Sequence, residues 1–114
     1  QEAAAVALEN SARDLPGYVG ELERRRDTVA HQLEGLPFGL PAGGWSMLLR
    51  VSDFGLDGEQ MAQRLFAQGV CATGMLGWGL AHGASYIRFV YANEPVARLR
   101  RLGDIVRAAL EMSR

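Results

Sequence analysis

Lysine is missing from this chain. All twelve of its basic residues are arginine. Chemistry that runs through a lysine Schiff base therefore cannot be completed by this polypeptide alone. Cysteine is nearly missing as well: a single Cys71 excludes an internal disulfide framework and fits a reducing compartment. Charge of one sign is not in surplus. The net charge is −1, which gives no electrostatic attraction to nucleic acid or to an anionic membrane. No apolar run approaches the roughly 20 residues that span a bilayer. The first residues also lack the basic start and apolar block of a signal peptide. The expectation is a cytoplasmic chain with no nucleic-acid and no membrane partner. His31 and His82 lie far apart with no ligand cluster around them, so no metal site is expected.

What is present suits one small globular domain: 114 residues, 48% hydrophobic and 22% charged. Residues 2–13 are alanine-rich, with Ala4, Leu8 and Ala12 on one stripe, and Pro16-Gly17 is expected to interrupt that helix. A second helix is predicted over 17–35, with Tyr18, Leu22, Val29, Leu33 and Leu36 on its apolar face. Leu36 to Gly44 reads as a turn-rich connection. Trp45, Met47, Leu49 and Val51 alternate with Ser46, Leu48, Arg50 and Ser52, the pattern of a strand with one buried face. Asp57 and Gln60 form a capping-box pair before a helix whose apolar side is Met61, Ala62, Leu65 and Phe66. A short strand at 70–73 would bury Cys71 as an inert core thiol. Gly74 to Gly83 is a glycine-rich loop, and Ser85 to Tyr91 a strand. Asn93-Glu94-Pro95 has the signature of a helix start, with Val96, Leu99, Leu102, Val106 and Leu110 as the core stripe that follows. The order is α-α-β-α-β-β-α. It predicts an α+β fold: a small two-layer sandwich with a short sheet of three or four strands and helices mainly on one face.

One residue conflicts with its surroundings. Arg88 stands inside the apolar strand Tyr86-Ile87-Arg88-Phe89-Val90-Tyr91, on the side of Tyr86 and Val90. Removing a lone charge from water costs several kcal/mol unless a partner replaces the hydration. Arg88 must face solvent, pair with an acid such as Asp53 or Glu94, or await a carboxylate from outside. The planar guanidinium fork matches a carboxylate with two parallel hydrogen bonds. Gly74-Met75-Leu76-Gly77-Trp78-Gly79 fits neither the lysine-bearing phosphate loop nor the dinucleotide fingerprint. Trp78 in that loop offers a flat apolar wall. Arg24-Arg25-Arg26 reads as a solvated helix face, since consecutive side chains fan out by about 100°; Glu21 is placed to pair with Arg24 or Arg25.

Several segments, taken in order, resemble the C-terminal small domain of a PLP-dependent class I/II (fold type I) aminotransferase. They are Glu23-Arg24-Arg25-Arg26-Asp27, Pro41-Ala42-Gly43-Gly44-Trp45-Ser46-Met47, Val70 through Gly79, Tyr86 through Pro95, and Leu99-Arg100-Arg101-Leu102. The resemblance covers essentially the whole chain. It implies that Arg88 grips the substrate α-carboxylate and that Trp78 walls the same pocket. It departs from the family at Gly74, where a proline is usual. The implied boundaries are 1–16 for the tail of a missing large domain and 17–114 for the small domain. The large domain would hold PLP, its lysine and the catalytic residues; no catalytic, cofactor-binding or metal-binding residue is expected in this chain, and no PLP bound to it. Implied partners are amino acid and 2-oxo acid substrates through a parent enzyme, itself a homodimer. The chain alone would be inactive and would self-associate through an exposed N-terminal helix. Absence of an initiator methionine at Gln1 fits an upstream continuation. Two other readings are a stand-alone carboxylate-binding or interaction module, and the small domain of a PLP-dependent decarboxylase or acyltransferase.

Overall fold

The computed structural model describes residues 1–112. Helix α1 (Glu2–Glu9) leads into the long helix α2 (Ser11–Gln32). The break falls at Asn10, not at Pro16-Gly17. There Asn10 Nδ2 donates to the Val6 carbonyl at 2.9 Å and Ser11 Oγ to the Leu8 carbonyl at 2.8 Å. These short side chains take up carbonyls at the end of α1, which is how Asn and Ser compete with helix propagation. Pro16 lies inside α2, which runs on through it. One missing N–H costs the helix a single ladder bond there.

The sheet has three antiparallel strands in the order β1-β3-β2: β1 (Ser46–Arg50), β2 (Thr73–Gly74) and β3 (Tyr86–Val90). Met47 pairs with Phe89 and Leu49 with Ile87, and all four side chains point into the core. Residues 37–39 cover the free edge of β1: Arg50 N–H donates to Pro37 O at 2.9 Å and Gly39 N–H to Leu48 O at 3.3 Å. Covering an edge in this way removes a template for unwanted strand pairing.

Helix α3 (Gly58–Phe66) begins with the expected capping box. Gln60 N–H donates to Asp57 Oδ1 at 2.8 Å, and Asp57 N–H to Gln60 Oε1 at 3.0 Å. Its Met61 and Leu65 are fully buried. Gly69, at φ 82°, turns the chain so that Val70 N–H returns to Leu65 O at 2.9 Å. Only a residue without a Cβ takes that left-handed conformation freely.

The C-terminal stripe forms two helices rather than one: α4 (Val96–Leu99) and α5 (Leu102–Glu111). Neither Asn93 nor Glu94 caps α4, whose N-cap position is Pro95. The break has a tertiary cause. Gln32 Oε1 at the end of α2 accepts from Gly103 N–H at 2.9 Å, and so caps α5 from outside. In return Arg107 donates to the carbonyls of Gln32 and Glu34 at 2.9 and 2.8 Å. One helix end lacks donors and the other lacks acceptors, and this junction satisfies both.

The core is Val29 of α2 and Leu33 just past its end, the inward face of the sheet, Met61 and Leu65, and Leu102, Val106 and Ala109 of α5. All helices that contribute to it lie on one face of the sheet, as the α+β reading predicts. Four apolar residues expected inside are exposed instead: Tyr18, Trp45, Phe66 and Cys71. Tyr18 lies on the part of α2 that extends past the core, and Trp45 sits one residue before β1. The strand expected at 70–73 shrinks to Thr73–Gly74, so Cys71 lies on an irregular surface segment. The arginine run is also less solvated than expected. Glu21 pairs with Arg24 at 2.6 Å and Arg25 at 2.9 Å, but Arg25 also donates to Ala92 O, and Arg26 Nη1 lies 3.5 Å from Pro41 O. Arg25 and Arg26 are half-buried struts from α2 to the connections around the sheet.

Candidate functional site

Alternation along β3 sends Ile87 and Phe89 into the core and Tyr86, Arg88 and Val90 to the opposite, helix-free face. The register flanks Arg88 with Leu48 on β1 and Thr73 on β2. Arg88 thus sits on the central strand of a sheet whose open face is itself largely apolar.

Both acids named as internal partners for Arg88 are occupied elsewhere. Asp53 pairs with Arg50, Nε–Oδ1 and Nη2–Oδ2 both at 2.9 Å. That fork-on-fork contact raises the Arg50 pKa above its ordinary value, the Asp53 hydrogen bond being the main cause. Glu94 Oε2 lies 3.1 Å from Arg98 Nη1, an ion-pair distance, although that oxygen is buried without a hydrogen bond. No carboxylate among the described residues pairs with Arg88, and its Nε is shielded from water without a hydrogen-bond partner. An unpaired, desolvated donor of this kind normally costs about 1–3 kcal/mol.

The loop after β2 supplies what Arg88 does contact. The Arg88 guanidinium carbon lies 4.8 Å from the centre of the Trp78 ring, within cation–π range. This loop is built from two 3-10 turns, Leu76–Trp78 and Gly83–Ser85. Its amides are used internally: Met75 N–H reaches Tyr86 O at 3.1 Å, Trp78 N–H reaches Met75 O at 3.0 Å, and Gly83 N–H reaches Gly79 O at 3.0 Å. These three amides are therefore not free to cradle an anion. Gly83 packs against the Met75 carbonyl so closely that a Cβ would collide with it. The glycines here close the loop and present Trp78.

Next to this pair is a depression of about 400 Å³, lined by Leu48, Met75, Trp78, Leu80, His82 and Tyr86 among others. Of the two residues chosen from sequence, Trp78 lines it; Arg88 does not, but it pairs across the sheet with Leu48 and contacts Trp78, both of which do. Leu48, Leu80 and Tyr86 were not singled out as site residues. For Leu48 the signal was present, since strand alternation already placed it opposite Met47. A second depression, of about 420 Å³, lies between α2, α5 and the end of β3. No group of His, Cys, Asp and Glu suited to a metal ion occurs among the described residues. None of their helices is long and apolar enough to cross a membrane.

By structure the chain is similar to a solved Pyrococcus protein described as protein-A1, with TM-score 0.82, 27% identity and 96% of this chain covered. It is similar to an aromatic aminotransferase from Pyrococcus horikoshii, with TM-score 0.70, 24% identity and 81% of this chain covered. An aminotransferase from Mycobacterium tuberculosis matches with TM-score 0.68 and 24% identity over 82% of this chain. The chain is folded as a segment of a fold type I aminotransferase. It covers 29%, 25% and 26% of the length of these three structures, in that order. No family model matches the chain. No curated protein matches it either.

Proposed function

We propose that this chain is the small domain of a PLP-dependent aminotransferase and that Arg88 binds the α-carboxylate of its substrates, an amino acid and a 2-oxo acid. The observation that carries this reading is a half-buried guanidinium with no acid partner on the open face of the sheet. Stacking on Trp78 occupies a face of the guanidinium. The in-plane N–H fork, which carboxylates recognise, is not consumed by stacking. A central strand holds Arg88 in place, and rigid placement is what allows a carboxylate contact to orient the α-carbon.

None of the residues present is suited to hold PLP. The chain has no lysine to form a Schiff base with it, and three amides of its glycine loop, those of Met75, Trp78 and Gly83, are already used. Cofactor and amino transfer are assigned to a larger domain, and Arg88 and Trp78 to substrate positioning. Residues 1–16 then belong to the connection with that domain. Their exposed Val6, Leu8 and Leu15 are the surface through which the isolated chain would self-associate.

The test compares the 114-residue chain with a polypeptide in which a lysine-bearing PLP domain precedes it. The longer polypeptide is expected to transfer amino groups. The isolated chain is expected to leave the absorbance of added PLP unchanged and to show no transfer. A spectral change that requires the isolated chain would contradict this division of labour.

A further inference from the structure

The depression beside Arg88 has a chemistry of its own, separate from the carboxylate anchor. Its volume of about 400 Å³ lies within the range of about 300–1,000 Å³ typical of small-molecule sites. Leu48, Met75, Trp78 and Leu80 give it apolar walls, with Tyr86 and His82 beside them. Leu80 is fully exposed and Trp78 is 67% exposed, so an apolar group seated here would cover surface that water now wets.

Charge on this face is equally specific. Arg50 is the other cation on the open face of β1 and β3, opposite Tyr86 in the register. Asp53 holds it through both hydrogen bonds of its fork. Among the described residues only Arg88 is an arginine of that face without an acid partner. A ligand with one carboxylate and an apolar side chain finds a partner for each part. A second carboxylate would find no second unpaired guanidinium: it would meet leucine, methionine and indole beside the Tyr86 and His82 side chains, or lie next to the carboxylate of Asp53.

Resting on the Arg88 reading above, we infer that the side-chain subsite contributed by this chain selects monocarboxylic amino and 2-oxo acids with uncharged, apolar side chains and disfavours dicarboxylic ones. Leu48, Met75, Trp78 and Leu80 receive the side chain, while Arg88 receives the α-carboxylate.

The test is an NMR titration of the chain at pH 8 with pyruvate, 4-methyl-2-oxopentanoate and 2-oxoglutarate. It follows the Arg88 Nε–H and Trp78 indole N–H resonances. The branched monocarboxylate is expected to bind roughly tenfold more tightly than pyruvate, the increment of a few buried methyl and methylene groups on a partly open surface. 2-Oxoglutarate should bind no better than pyruvate. Leu80→Asp should bring 4-methyl-2-oxopentanoate down to the level of pyruvate, and Arg88→Ala should abolish binding of all three. Equal affinities that still depend on Arg88, or tightest binding of 2-oxoglutarate, would overturn the side-chain subsite and leave the anchor standing. No binding up to tens of millimolar, or binding indifferent to Arg88→Ala, would overturn the anchor and this inference with it.

Discussion

Arg88 and Trp78, ten positions apart in sequence, meet with the guanidinium carbon 4.8 Å from the indole ring centre. This contact joins the central strand to the glycine-rich loop and makes a single site of them. It also accounts for the stability of an unpaired cation at that position. The ring offers an electrostatic partner to one face of the guanidinium and takes up none of its in-plane N–H groups.

Truncating the ring tests that division. A cation–π contact at an exposed site is worth about 0.5–1 kcal/mol. Trp78→Ala is expected to weaken carboxylate binding by about twofold to fivefold, while Trp78→Phe, which keeps an aromatic face, should retain most of the affinity. Titration with pyruvate, whose single methyl group makes little use of the apolar walls, measures both. Equal losses in the two variants would mean that the loop positions Arg88 without any contribution from the aromatic face.

Much of the arrangement is legible in the sequence where local rules act alone. Period-two alternation placed Met47, Leu49, Ile87 and Phe89 correctly, and the Asp57–Gln60 spacing identified a cap that forms as expected. Local rules fail where a distant group intervenes. Nothing near Arg100 or Arg101 signals a helix break, because its cause is Gln32, which accepts from Gly103 across the fold. Pro16 signals a break that does not occur, because Asn10 and Ser11 end the preceding helix first. Trp45 and Phe66 have the character of core residues but project from segment ends, beyond the packed interior. As for the site, the oddity of Arg88 was readable, but which acids would be unavailable to it was not. That depended on Arg50 and Arg98 capturing Asp53 and Glu94.

Gly58 tests the packing that holds α3 under the sheet. A Cβ there would run into the Tyr86 carbonyl and approach Gly74 Cα to 3.2 Å. Backbone atoms cannot rotate away as a side chain can. Overpacking of this kind costs about 1–3 kcal/mol and exceeds the roughly 0.5–1 kcal/mol that alanine gains over glycine in a helix. Gly58→Ala should therefore lower the urea midpoint. Gly17→Ala, with nothing within 4 Å of its Cβ and a place inside α2, should raise it. Both follow from urea unfolding monitored by circular dichroism; a stabilised Gly58→Ala would show that α3 can shift away from the sheet.

Glu21 gives the fold an acid-sensitive point. Hydrogen bonds first from Arg24 and then from Arg25 hold its carboxyl below the ordinary value of 4.5. A carboxyl with a lowered folded pKa binds fewer protons in the native state than in the unfolded chain. Its contribution is complete above the unfolded value and is lost as pH falls through the folded one. Between pH 5.5 and pH 3 the urea midpoint should fall more for the unmodified chain than for Glu21→Gln. Parallel declines would show that these exposed pairs contribute nothing measurable.

The central claim is that Arg88 is the carboxylate anchor of an amino-transfer site whose chemical groups lie on another domain. Steady-state kinetics of Arg88→Ala in a polypeptide carrying both domains tests it most directly. A charge-assisted hydrogen bond to a bound ligand is worth about 1.5–3 kcal/mol, so KM for the amino acid and for the 2-oxo acid should each rise by roughly 10- to 150-fold. Arg88→Lys should recover part of that loss. Unchanged KM values for both substrates, with unchanged kcat, would contradict the account.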